Sequence, residues 1–216
     1  MESIGVYFTD HVALCEDCAS DGAIAPYMTF SKLPPFKGGQ TSSVLLIGHS
    51  PKVRTSSRIS TTLDLDEDGQ LRRYIRGEIL EPLDIELESC LATNIVKCLT
   101  TEMPEDIAIS EADFMERAFA ICKRHLIREI FMERIRLLIS FSEKVANLLQ
   151  ANFGPHRKPR PMKEIFATLR ELEIGGRTVP WIPVVHIPKA KVRRYYFPEQ
   201  TNRLRALRTE TGRILS

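Results

Sequence analysis

The sequence predicts an α/β fold, with a three-layer α/β/α arrangement around a central, mostly parallel four-stranded sheet. Three observations carry this expectation. Short apolar, β-branched runs of strand length alternate with longer segments whose apolar residues recur at helical spacing. The connections between strand candidates are long enough for the crossovers that parallel pairing requires. A chain of 216 residues with 43% hydrophobic content can also bury a core as a single domain over 1–216.

Taken in order, residues 1–43 read as an irregular N-terminal segment, with a Cys-x-x-Cys at Cys15 and Cys18 and a turn-rich KLPPFKGGQTSS. VLLI (44–47) reads as the first buried strand and runs directly into Gly48-His49-Ser50-Pro51. In DGQLRRYIRGEIL, Leu71, Ile75 and Ile79 recur every four residues and predict a helix. SCLATNIVKC (89–98) reads as a second strand. The helix after it opens with Ser110 and Asp113 at capping spacing and carries Phe114, Ala118, Cys122 and Leu126 on one face. RLLISF predicts a third strand, SEKVANLLQANF a helix, and VPWIPVVHIP the fourth strand. GPHRKPRP (154–161) is a basic loop stiffened by prolines, and 196–216 form a basic C-terminal tail or helix.

Charged residues make up 27% of the chain, near the average for globular proteins, and no apolar run approaches the ~18 residues of a membrane span. MESIGVYFTD lacks a basic n-region and a long apolar h-region, so the expectation is a cytoplasmic protein, a monomer, without membrane attachment. Five cysteines in such a chain point away from a disulfide framework and toward metal or cluster ligation, or simple burial. The net charge of +2 conceals a division: residues 151–216 hold 14 Lys and Arg against 5 Asp and Glu, and the rest of the chain is net acidic. A basic C-terminal third is the footprint of a protein that meets a polyanion, or else a solvated surface.

Gly48-His49-Ser50-Pro51 places small and titratable groups where a strand ends. That pattern fits a binding crevice at the carboxyl edge of a parallel sheet, or an ordinary turn. Three blocks in order, LLIGHSP, TNIVKC and CKRHLIREI, with VVHIPKAKVRR downstream, resemble the motifs of the uracil-DNA glycosylase superfamily, and most closely its iron–sulfur-containing fourth family. The resemblance spans roughly residues 12 to 195. Its order and spacing are more specific than any single block.

The resemblance implies several roles. Cys15, Cys18, Cys98 and Cys122 fill the positions of that family's [4Fe–4S] ligands, leaving Cys90 over. Four thiolates suit such a cluster, zinc would accept the same sulfurs, and a free cysteine is also a common small apolar core residue. Asn94 stands at the family's base-reading asparagine, its amide matching the Watson–Crick edge of a pyrimidine; alternatively it bonds a neighbouring backbone. Gly48, Ser50 and Pro51 would line the same base pocket. His186 occupies the place of the motif histidine, a donor to the oxygen of the departing base, or a structural histidine. Lys189, Lys191, Arg193 and Arg194 beside two tyrosines read as a loop that holds DNA phosphates, or as a solvated basic loop.

The match also departs from the family at its chemistry. His49 stands where the family has Glu, Ser50 where it has Ala, and Lys52 where it has a second Gly. Neutral His49 can act as a base toward water, but it cannot supply the negative charge that steadies an oxocarbenium-like sugar; Asp64, Asp66 or Glu67 are the candidates for that. Only Leu63 or Leu65 lies near the family's base-stacking Phe, and His-Ile-Pro-Lys replaces His-Pro-Ser. The leading expectation is a DNA repair glycosylase that flips and excises uracil or another deaminated base. The alternative is the same fold and cluster binding DNA or a nucleotide without catalysis. A third possibility is a protein on this fold with no nucleic-acid partner.

Overall fold

The computed structural model describes residues 3–49, 61–66, 68–101, 109–186 and 190–216, with backbone alone for 190–195. In chain order the strands are β1 (Met28–Lys32), β2 (Phe36–Lys37), β3 (Val44–Gly48), β4 (Cys90–Asn94), β5 (Cys98–Thr100), β6 (Leu137–Phe141), β7 (Arg170–Ile174) and β8 (Arg177–Val184). The helices are α1 (Ile4–Tyr7), α2 (Gln70–Tyr74), α3 (Glu81–Leu83), α4 (Glu111–Met132), α5 (Glu143–Phe153), α6 (Met162–Ile165) and α7 (Ala190–Leu215).

The four strands expected from the sequence form the parallel centre. Val44 of β3 is paired with Cys90 of β4 and with Leu137 of β6, and Leu138 is paired with Trp181 of β8. Every residue of β3, β4 and β6 is buried. Burial on both faces is why these strands read as continuous apolar runs and not as alternating ones.

Two antiparallel edge strands extend this centre to six, in the order β2-β4-β3-β6-β8-β7. Neither edge strand is apparent from sequence pattern. β2 is only two residues long and lies among prolines and glycines, too short for a periodic signal. β7 and β8 form a hairpin whose turn is Gly175-Gly176, at φ +57° and +80°. Two consecutive left-handed residues match the twist of the flanking strands, and glycine adopts them without a steric penalty.

SCLATNIVKC does not form one strand. After Asn94 the amides of Ile95 and Val96 donate to the carbonyls of Gly48 and His49, which draws the chain across the end of β3. Cys98–Thr100 then pair with β1 in a separate two-stranded ribbon.

Residues 70–83 are helical throughout, α2 passing through wider π-type turns over 75–80 into α3, with Ile75 and Ile79 fully buried. α4 begins as its spacing predicts: Ser110 caps the helix by accepting from the Asp113 amide at 3.1 Å. Phe114, Ala118, Cys122 and Leu126 all face the core. α4 packs with α5, and α3 packs with α7. The crossover β3-α2/α3-β4 advances in one direction across the sheet and β4-α4-β6 in the other. Right-handed crossovers therefore put the two helix groups on opposite faces, giving three layers. No helix among the described residues is long and apolar enough to cross a membrane.

Residues 190–194, expected as part of a loop, are the first turns of α7. The stretch AKVRRYYF contains no glycine or proline before Pro198, and Ala, Lys and Arg favour helix, so nothing local stops it.

Candidate functional site

In the parallel centre β4 lies on one side of β3 and β6 on the other. Chain order reverses between β3 and β6, and such a switch point opens a crevice outside the carboxyl ends of the strands. Gly48, Asn94, Phe141 and Val184 end the four parallel strands at that edge.

Gly48 and Asn94 are paired in register. A Cβ on residue 48 would stand 2.4 Å from Asn94 Oδ1 and 2.6 Å from Leu63 Cδ2, so only glycine leaves room for the amide to lie over the strand end. Asn94 is 6% exposed, and its side-chain amide makes no hydrogen bond among the described residues. Neither amide atom is among the fully buried polar atoms that lack a partner, so the group is open to a ligand edge that would satisfy it.

Leu63 reaches this point because the short helical turn 62–64 is bent: Leu63 and Asp64 adopt φ +63° and +50°. The turn is tied down by the Thr62 amide donating to Pro34 O at 2.9 Å and by Arg72 donating to Leu65 O at 2.6 Å. Asp64 follows Leu63 directly, and its Oδ1 is buried with no hydrogen-bond partner among the described residues. Leu65, the other candidate for the base-stacking position, is fully buried in the core. Asp66 is exposed and accepts from Thr61, while Glu67 lies outside the described residues.

Ser142 borders the same crevice and carries no signal in the sequence. It adopts φ +87°, ψ 153°, a region that is nearly glycine-only, while its side chain caps α5 and its amide donates to Val184 O at 3.1 Å. Ser142→Gly should therefore raise stability by about 1 kcal/mol, because relief of strain outweighs the few tenths lost from the cap. A thermal midpoint higher by roughly 2–4 °C is expected, and a lower one would show that the cap dominates.

His186 is exposed and lies two residues beyond β8 on the same edge. At ~4.8 Å per strand, β8 is about 10 Å from β3, roughly the span of a nucleoside. The residue before His186 is clamped from both sides. Val185 N–H donates to Gln200 Oε1 at 2.8 Å, Gln200 Nε2 donates to the Tyr74 hydroxyl at 3.0 Å, and that hydroxyl donates to Val185 O. Burial pushes the Tyr74 phenol above its ordinary range, so it remains a donor. Neither Tyr74 nor Gln200 carries a sequence signal for this role, because they are 126 residues apart. Ser50, Pro51 and Lys189 lie outside the described residues, as do the side chains of Lys191, Arg193 and Arg194.

The cysteines form a second centre. Cys18, Cys98 and Cys122 come together from the N-terminal segment, β5 and α4, and Cys18 is hydrogen-bonded to both of the others. Those bonds raise the Cys18 thiol, which keeps its proton. They lower Cys98, helped by the Lys32 charge, and bring Cys122 to about 7, helped by the Lys97 amide and charge. Cys15 is half-buried with its Sγ 3.7 Å from Arg124 Nη2, and Cys90 is buried in β4. Among the described residues no three His, Cys, Asp or Glu side chains are arranged around a common point at metal-bonding reach.

The surroundings of this trio are polar and ordered. Lys97 Nζ lies 2.7 and 2.8 Å from the Glu129 carboxylate oxygens and 2.5 Å from Thr93 Oγ1, all buried. His125, one turn beyond Cys122, bonds the Tyr7 hydroxyl through Nδ1 at 2.8 Å. Burial and the Lys97 and Arg124 charges lower His125 to about 4, so it is neutral at pH 7. Cys98 and Cys122, lowered by Cys18 and then by the Lys32 and Lys97 charges, are soft sulfur donors of the kind that suits iron–sulfur or zinc.

No known family's sequence signature matches the chain, and no curated protein matches it.

Proposed function

We propose that the protein is a DNA glycosylase that flips a deaminated base, uracil among them, into the carboxyl-edge crevice and hydrolyses its N-glycosidic bond. The observation that carries this reading is the unpartnered Asn94 amide, largely enclosed over Gly48 next to the switch point. Its donor and acceptor complement the Watson–Crick edge of a pyrimidine, and a flipped base delivers that edge.

Each neighbouring group has a part in the reaction. Neutral His49 takes a proton from water as the water oxygen bonds to C1′ of the sugar. The carbon–nitrogen bond breaks with its electron pair leaving on the base, whose oxygen receives a hydrogen bond from His186. The Asp64 carboxylate steadies the positive charge on the sugar, the task for which the first motif lacks an acid. The base then gains a proton, leaving an abasic sugar bearing the hydroxyl.

Cys15, Cys18, Cys98 and Cys122 would hold a [4Fe–4S] cluster, or zinc in its place, which when bound ties the N-terminal segment to β5 and α4. The test of the catalytic reading is single-turnover excision with excess protein on oligonucleotides carrying uracil, hypoxanthine or xanthine. Asn94→Ala is expected to slow release at least ~100-fold, the scale of losing one positioned hydrogen-bonding group, and Asp64→Asn to slow it with binding unchanged. The His49 position favours a second reading, binding without cleavage. No release from any substrate, with salt-sensitive DNA binding retained, would establish that reading instead.

A further inference from the structure

A cleft of about 840 Å³, lined by none of the residues named at the carboxyl-edge crevice, lies between the loop 154–160, the edge strand β7 and the C-terminal half of α7. Arg157, Lys158, Arg160 and Arg170 line it, and none of the four makes an ion pair among the described residues. Two carboxylates, Glu171 and Glu210, also reach it, so positive charge remains in excess.

Arginines rarely crowd together without a counter-charge unless something else supplies one. Arg170 is held partly buried beside Arg160, and burial together with that neighbouring charge lowers it from the ordinary guanidinium range. The loop is also fixed in place. Buried Gln150 accepts the Arg160 amide at 3.0 Å and donates to the Arg160 carbonyl at 3.4 Å, while Pro155, Pro159 and Pro161 restrict the backbone around it. Cations on a pre-ordered loop bind anions with less ordering cost than cations on a mobile one.

We propose that this cleft is a second anion site, which binds a run of phosphate groups such as a polynucleotide strand or a free polyphosphate carries. Three cations on one loop and a fourth on β7 line the same cleft, more positive groups than a single phosphate needs, which suits several phosphates better than one. The site is separate from base excision and stands whether or not the protein cuts.

The test is fluorescence anisotropy of the full chain with a labelled, undamaged single-stranded oligonucleotide across a salt series, with tripolyphosphate as competitor. Arg160→Gln/Arg170→Gln is expected to weaken binding about tenfold and to reduce the salt slope by about 1.4, at ~0.7 for each phosphate that is no longer neutralised. Arg157→Gln/Lys158→Gln, on the exposed loop where folding is not at stake, should act in the same direction. Arg73→Gln/Arg76→Gln, on the exposed side of α2 and the π-type turn that follows it, should leave both quantities unchanged. Loss of tripolyphosphate binding alone in the cleft variants would assign the site to free polyphosphate. Equal affinity and slope in all variants for both ligands, or an equal fall in the α2 control, would overturn the proposal.

Discussion

Lys97→Met is expected to lower stability by about 3–5 kcal/mol, because it leaves the Glu129 carboxylate charged and alone in the interior. Lys97 and Glu129 have side chains only 6% and 2% exposed, and the ammonium contacts both carboxylate oxygens. Thr93 Oγ1 completes the set, within hydrogen-bond reach of both Lys97 Nζ and Glu129 Oε1, so one substitution strips partners from β4 and α4 together. Water cannot readily replace the lost ammonium at so closed a position. The double variant Lys97→Met/Glu129→Leu should recover most of the loss, since an apolar pair of similar volume carries no desolvation cost. Urea denaturation followed by circular dichroism measures both. A single variant that loses less than about 1 kcal/mol would mean that water reaches Glu129. The same substitution should raise the Cys122 thiol, because the Lys97 charge helps, after the Cys18 hydrogen bond, to hold it near 7. Slower alkylation of Cys122 at neutral pH in metal-free protein is the readout.

Cys18→Ser is expected to remove bound metal and to cost at least about 3 kcal/mol, since ligation free energy becomes folding free energy where the apo segment is weakly held. Cys18 is buried and is the point at which the N-terminal segment meets β5 and α4 through sulfur. The other ties of that segment are Ile4, Val12 and Ile24 in the core, Tyr7 bonded to His125, the Arg124–Asp17 and Arg117–Asp21 pairs, Lys32 reaching back to the Ala13 and Cys15 carbonyls, and β1 paired with β5. Anaerobically purified protein should be brown, with broad absorbance near ~400 nm and with chemical iron and sulfide. The variant should lack these, melt roughly 6–12 °C lower and expose residues 3–32 to protease. Zinc without iron would keep the site and change the ion. Absence of any metal, with an unchanged melting temperature, would reduce the trio to a hydrogen-bonded core cluster.

These two centres differ in how far they are legible in the sequence. The cysteines draw notice by their spacing and by the family resemblance, but which sulfurs meet depends on the path of the chain after Asn94. That path is set by two hydrogen bonds to the carbonyls of Gly48 and His49, a long-range event with no local signature. Cys98 thereby leaves the main sheet for the β1 ribbon, where it meets Cys18. Lys97 shows only as a charged residue in an apolar run, and nothing near it in the chain names Glu129, 32 residues later, as its partner.

By itself the sequence determined the four parallel strands, the capped start of α4 and the place of Gly48 at a strand end, whereas Asn94 read as the interior of a strand and only the structure ends β4 there. Each follows from short-range causes: buried strands must be apolar on both faces, a helix start needs a polar cap, and period and length distinguish the two. The tertiary structure decided everything that depends on residues far apart in the chain. It set Leu63 beside the Asn94 amide, locked the backbone before His186 with Tyr74 and Gln200, and gathered arginines from the 154–160 loop and β7 around one cleft. The physical reason is the same in each case. Backbone patterning is imposed by neighbours within a few residues, whereas a site is a convergence of side chains whose positions exist only after the sheet has closed its register and the helices have packed upon it.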